Sequence, residues 1–469
     1  MLIYLIAATL IVSFAWGMRG DLIGGEEGAT LPGAFIGLSL ALLFGNMFMF
    51  ENLYIFVALG MTGIFIGGAE TYAETLSFSF WGDGFNPKPE SLSKGLIGVA
   101  VKGMAWFGIC AATIGIGFTS VTIGSYKPYE FVILILVMLA VRFIGAKIIN
   151  KPAENENHVL NKIYFSKTRS EEWAGMLLML ITMFVFALIH KDYFACKLIC
   201  FGSVGGAVGW IIAQFFHSAS KSKFKNGKYL FGKMNENKFV DAWKNMEFTL
   251  GALGSLSIAL GFVLQKDTVN EYILSASYNK SEGSAVVGII YAVLICLYAL
   301  SNLFKYRSEK ILKVCEVINR PVLCYIPMVL IFMGYYQVAK ILALVVLPFF
   351  ALEELCFVQL KEHCKKKAPV LSVIVFAVFA GLMALSFTEF PNNLSAQIKP
   401  YSAYILYFIV VSVIYVICAL WASIAKYEFN TGKKFCFNDC RTLVSINSYY
   451  IFCIIVGTIL FVSGNKLFL

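Results

Sequence analysis

The chain has 469 residues, 59% of them hydrophobic and 14% charged, which is too apolar and too sparsely charged for a soluble domain of average composition. Its net charge of +10 does not mark a nucleic-acid binder, because the basic residues are scattered over many short polar segments instead of being gathered on one domain or helix. Composition therefore points to an all-α, polytopic membrane protein whose first partner is the lipid bilayer.

Taken in chain order, apolar stretches of about 17 to 25 residues predict fourteen transmembrane helices. They cover 2–17, 31–49, 52–69, 95–118, 129–148, 172–190, 195–216, 247–265, 284–303, 321–337, 340–358, 369–388, 402–424 and 443–463. The first stretch lacks a basic n-region and a small-residue cleavage site, so it reads as a membrane helix and not as a cleaved signal. The shortest connection is the turn from Gln337 to Lys340.

Fourteen crossings put 28 Lys and Arg residues on one side and 8 on the other. The richer side is then cytoplasmic, with both termini outside the cytoplasm and an inner (plasma) membrane as the expected location. Three helix groups are expected, 1–150, 151–265 with a basic cytoplasmic loop, and 266–469. Gly60, Gly63 and Gly67 in the third helix match the spacing of Gly202, Gly205 and Gly209 in the seventh. This is a weak parallel internal repeat, and close packing of small-residue faces explains it equally well.

The segment from Arg19 to Pro32 joins the first two helices and carries Asp21, Glu26 and Glu27 among four glycines, Gly20, Gly24, Gly25 and Gly28. It reads as a Gly-rich loop that can fold back into the membrane, with Thr30 and Pro32 starting the next helix. Its carboxylates and the missing P-loop spacing argue against a phosphate cradle and suit a cation, a proton or an amine. A plain solvated turn with an Arg19 to Asp21 pair is the alternative.

Only Lys102 and Arg142 lie well inside apolar runs. A cation there costs about 2.5 to 3.5 kcal/mol at a helix centre on insertion scales and calls for a partner, a water-filled cavity or a task. The predicted topology places both near the cytoplasmic ends of their helices, close to Glu70 and Glu74, which are four residues apart and so share a helix face. An ion network and plain snorkelling are the two readings.

Other features are thinner. Asp83 sits in a Trp-Gly-Asp-Gly turn, and Asp241, Trp243, Lys244 and Glu247 read as interface anchoring before the eighth helix. No two of the four histidines have metal-ligand spacing, the twelve cysteines are scattered, and Cys436 and Cys440 alone make no zinc site. The run Ala351 to Val358 resembles the paired-glutamate motif of CAAX-type intramembrane proteases, but it has Val358 where that family has Arg and lacks histidines on later helices.

The candidate ligand-binding residues are therefore Arg19, Asp21, Glu26, Glu27, Glu70, Glu74, Lys102 and Arg142, with no metal or cofactor assigned. Two functions are expected from them. One is a secondary transporter of a small polar or anionic solute, coupled to protons or sodium. The other is a membrane-embedded transferase or hydrolase acting at the cytoplasmic face on a soluble or lipid-linked substrate with a carboxylate base.

Overall fold

A computed structural model describes residues 2–22, 24–43, 47–68, 75–76, 91–150, 171–221, 242–275, 284–304, 309–353, 368–387, 410–418 and 424. All regular structure among them is helical. The helices are α1 (Leu2–Leu22), α2 (Gly25–Leu42), α3 (Leu53–Gly68), α4 (Ser91–Ile123), α5 (Pro128–Ile144), α6 (Trp173–Ile189), α7 (Tyr193–Lys221), α8 (Ala242–Val263), the short α9 (Lys266–Ser275) and α10 (Ser284–Phe304). Then come α11 (Glu309–Arg320), α12 (Tyr336–Ile341) and α13 (Ala368–Ser386).

Three π-helical turns prolong these elements. Gly145–Ile149 extends α5, Pro321–Tyr325 joins α11 to a further helical stretch Ile326–Phe332, and Leu342–Val346 carries α12 onward to 353. Among the described residues, seven spans are long and apolar enough to cross a membrane, and shorter apolar helices lie at Leu5–Arg19, Leu53–Gly68, Trp173–Ile189 and Val373–Ser386. Large apolar side chains cover the outer faces, as on α5, where Ile133, Leu136 and Phe143 are exposed. In a membrane protein such surface is solvated by acyl chains and needs no further partner.

Six helices close into a ring in which α1, α2, α3, α4, α7 and α8 each pack on the next and α8 returns to α1. Trp16, Trp106, Phe107 and Trp210 fill its interior, with Trp106 packed at a tilt between the other two indoles at centroid distances of 5.5 and 4.9 Å. Glycine sets how closely the ring closes. A Cβ on Gly60 would sit 2.0 Å from the carbonyl oxygen of Gly33, and one on Gly206 would sit 2.1 Å from that of Gly103, so only backbone fits at these crossings.

The two glycine triplets seen in the sequence share a contact pattern. Gly60 faces α2 while Gly63 and Gly67 face α4, and Gly202 faces α4 while Gly205 and Gly209 face α8. Outside the ring, α5 and α6 pair with one another, and α6 also packs on α4. The stretch 326–332 and α12 lie against α3, with α10 and α13 outside them.

Two sequence expectations change. The Arg19 to Pro32 segment is not an extended loop, because α1 runs on to Leu22 and α2 begins at Gly25, whose φ of 65° makes the break. Thr30 and Pro32 therefore lie inside α2, and Glu26 and Glu27 occupy its first turn, where the helix dipole favours carboxylates. The turn expected from Gln337 to Lys340 lies instead at Met333 to Tyr335, where Gly334 adopts φ 85°, and both Gln337 and Lys340 are buried in α12. Asp83, Glu354, Cys436, Cys440 and the helix expected over 443–463 lie outside the described residues.

Candidate functional site

Lys102 lies eleven residues into α4, roughly 16 Å along it at the α-helical rise, and is fully buried. Its ammonium donates to Glu171 Oε1 and to Thr75 Oγ1, both at 2.9 Å. Arg142, near the end of α5, donates through Nε (2.9 Å) and Nη2 to Glu172 Oε2, and through Nη1 to the Tyr325 hydroxyl oxygen at 2.6 Å. Two adjacent glutamates at the start of α6 thus hold the two cations that the sequence leaves stranded. Snorkelling to water is not how Lys102 is accommodated: a buried charge here is met by a charge and by hydrogen bonds.

The arrangement continues beyond this pair. Glu172 Oε1 also accepts from Arg320 Nη1 at 3.3 Å, and Arg320 Nε donates to Glu26 Oε1 at 2.5 Å. The chain of alternating charge Arg142, Glu172, Arg320, Glu26 therefore joins α5, the start of α6, the end of α11 and the start of α2. Next to Glu26, Glu27 Oε1 accepts from the Tyr298 hydroxyl at 2.7 Å and from Asn319 Nδ2 at 3.4 Å. Two π turns adjoin this chain, since Gly145–Ile149 begins three residues after Arg142 and Pro321–Tyr325 runs from Arg320 to the tyrosine that Arg142 meets. Such turns leave backbone irregular and recur at functional positions.

A second polar cluster closes the ring at the same end. Lys244 donates to Glu247 Oε2 at 2.7 Å and to the Gly17 carbonyl at 2.9 Å, and the Trp243 indole N–H donates to Glu247 Oε1 at 3.0 Å. His217 meets the edge of Trp243 and lies 3.2 Å from Gln214 Oε1. These residues bind helix to helix, which is more than the interface anchoring expected of them. Arg19 donates to the Gly25 carbonyl at 3.1 Å and lies over the Trp106 ring at 5.1 Å.

The opposite end is built differently. Tyr126, after α4, donates to Asp192 Oδ2 at 2.5 Å, while Asp192 Oδ1 accepts the Ala195 N–H at 2.9 Å and caps α7. His190 Nε2 stands 3.8 Å from Glu130 Oε2. Burial pushes the Asp192 carboxyl above the usual aspartate range, against the pull of its hydrogen bonds. Burial and the neighbouring Asp192 charge push the Tyr126 hydroxyl up as well.

Of the residues singled out by sequence, Glu26, Glu27, Lys102 and Arg142 join this network or adjoin it, and Arg19 lies at the same end. Glu70, Glu74 and the side chain of Asp21 lie outside the described residues. Sequence reasoning missed Glu171, Glu172, Tyr298, Asn319, Arg320 and Tyr325. Their one signal was a pair of carboxylates directly before an apolar run, at a helix start where two stranded cations needed partners.

Within this network Lys102, Arg142 and Arg320 face Glu171, Glu172 and Glu26, so the charges balance. An anionic ligand at Lys102 or Arg142 has to displace a carboxylate. Among the described residues no three His, Cys, Asp or Glu side chains gather as metal ligands. No family model, curated protein or solved structure matches the chain.

Proposed function

We propose that the chain is a secondary transporter of a small polar or anionic solute, and that the Arg142, Glu172, Arg320, Glu26 network is an ionic closure at its cytoplasmic end. The observation that carries this reading is Glu172 shared between two arginines, one on α5 and one at the end of α11. A carboxylate that can pass from one guanidinium to the other lets helix groups part without leaving a bare charge, which a rocking carrier needs. The pairs are partly buried, with the Arg320 side chain 32% exposed, so each holds a closed state by less than the ~3 to 5 kcal/mol that breaking a fully buried pair costs, which leaves opening within reach. The π turns beside Arg142 and Arg320 supply places where the helices can bend.

A membrane-embedded enzyme is the second reading, favoured by the gathering of buried charge at one end. Against it, Glu26, Glu171, Glu172 and Glu247 are each engaged by a cation. The test is uptake of labelled organic anions and polar solutes into proteoliposomes, with and without a pH gradient. Gradient-driven accumulation that Arg320→Gln reduces at least tenfold is expected. Turnover of a lipid-linked substrate without any gradient overturns the transport reading.

A further inference from the structure

Glu26, Glu27, Glu171 and Glu172 lie at the network end, and Glu27 is held differently from the other three. Glu26 faces Arg320, Glu171 faces Lys102, and Glu172 faces Arg142 and Arg320. Glu27, among the described residues, accepts only from neutral donors, the Tyr298 hydroxyl at 2.7 Å and the Asn319 amide at 3.4 Å. We propose that Glu27 is a proton-binding site, with Tyr298 and Asn319 forming a hydrogen-bond triad that accommodates both its charged and its neutral form. The proposal rests on the transport reading for its role, which is to carry the coupling proton, but the site itself stands on geometry.

Protonating a carboxylate that faces a buried cation leaves that cation uncompensated, at a cost of several kcal/mol. Protonating Glu27 strands nothing. The triad can reverse: the new carboxylic acid O–H donates to the Tyr298 oxygen, and the Tyr298 hydroxyl turns to Asn319 Oδ1, already 3.3 Å away. No bond to carbon changes in this step. The proton comes from water at the half-buried Glu27, and the hydroxyl hydrogen of Tyr298 only changes acceptor.

The surroundings select a proton over a metal cation. Both partners point hydrogens at the carboxylate, whereas Na⁺ needs oxygen lone pairs around it. Among the described residues, the charged and titratable groups facing the triad are Glu26 beside it on α2, Arg320 at the end of α11, Tyr298 on α10 and Glu353 at the end of the α12 segment. Arg320 is directed at Glu26 and Glu172. Tyr298 is almost wholly buried, and its hydroxyl has both Glu27 Oε1 and Asn319 Oδ1 within reach as acceptors.

The experiment is infrared difference spectroscopy of the full-length protein in detergent, titrated in H₂O and D₂O, with no substrate present. The native protein is expected to show a protonated-carboxyl C=O band that grows on acidification, that Glu27→Gln removes and that Glu26→Gln leaves in place. Tyr298→Phe deletes a donor to the charged form and is expected to tighten proton binding about tenfold. Glu27→Gln keeps the shape and an acceptor oxygen, and an unchanged unfolding temperature verifies its fold. A band that survives Glu27→Gln, or vanishes with Glu26→Gln, overturns the site. A site that titrates as expected in a protein whose uptake ignores the pH gradient overturns the transport reading alone.

Discussion

Lys102 is fully buried with Glu171, and the worth of that pair is a difference between states. Removing one partner leaves the other charge in a low dielectric, a loss of about 3 to 5 kcal/mol, whereas replacing both by apolar side chains of similar volume is close to neutral. Thermal unfolding of Lys102→Met and Glu171→Met alone should therefore show large decreases, and the double variant should recover most of them. Additive losses in the double variant would show that packing of the two side chains, and not their charges, is what matters. The need for partners was legible in the sequence, since Lys102 and Arg142 stand inside apolar runs. Their identity was not, because Glu171 and Glu172 lie about thirty to seventy residues away in the chain and look like ordinary interface residues before a helix.

Helices show how far the apolar pattern reaches. Runs of apolar residues located the bodies of α1 and of α3 to α8 closely, because hydrocarbon forces every backbone group into internal hydrogen bonds, whereas α2, expected over 31–49, runs over Gly25–Leu42. Breaks were less legible: a glycine in the left-handed region can begin a helix, as Gly25 does, or follow the end of one, as Gly334 does, and the sequence does not say which of several glycines adopts that conformation. The packing role of a glycine is equally hidden until the partner helix is known. At Gly206 a Cβ meets the Gly103 carbonyl at 2.1 Å and the Phe107 Cβ at 2.8 Å, so backbone must move. At Gly381 in α13 it meets nothing within 4 Å. Gly206→Ala is thus expected to destabilise the protein by about 1 to 3 kcal/mol through overpacking. Gly381→Ala should be neutral or stabilising by about 0.5 to 1 kcal/mol, because alanine favours the helix. Unfolding monitored by tryptophan fluorescence compares them, and equal stability of the two variants would refute the close crossing of α4 and α7.

For the molecule as a whole, the two ends respond to pH in different ways. At the network end Glu26, Glu171 and Glu172 face cations while Glu27 faces neutral donors, and the far end holds Asp192 buried between Tyr126 and the start of α7. Burial raises the folded-state pKa of Asp192 above its unfolded value, so between those two values the folded protein binds more protons than the unfolded chain. Stability from this site is complete below the ordinary aspartate pKa of about 3.9 and is lost as pH rises through the folded value. Tyr126 is also pushed up, so its own loss begins only above the ordinary tyrosine range and leaves the acid window to Asp192. Subtracting the unfolding profile of Asp192→Asn from that of the native protein isolates the contribution, since the asparagine keeps an oxygen to cap α7 while it cannot ionise. The difference should fall as pH rises from about 4 through the raised folded-state value. A difference that is flat, or that rises with pH, would mean that the hydrogen bonds from Tyr126 and Ala195 outweigh burial and hold Asp192 as a stable carboxylate.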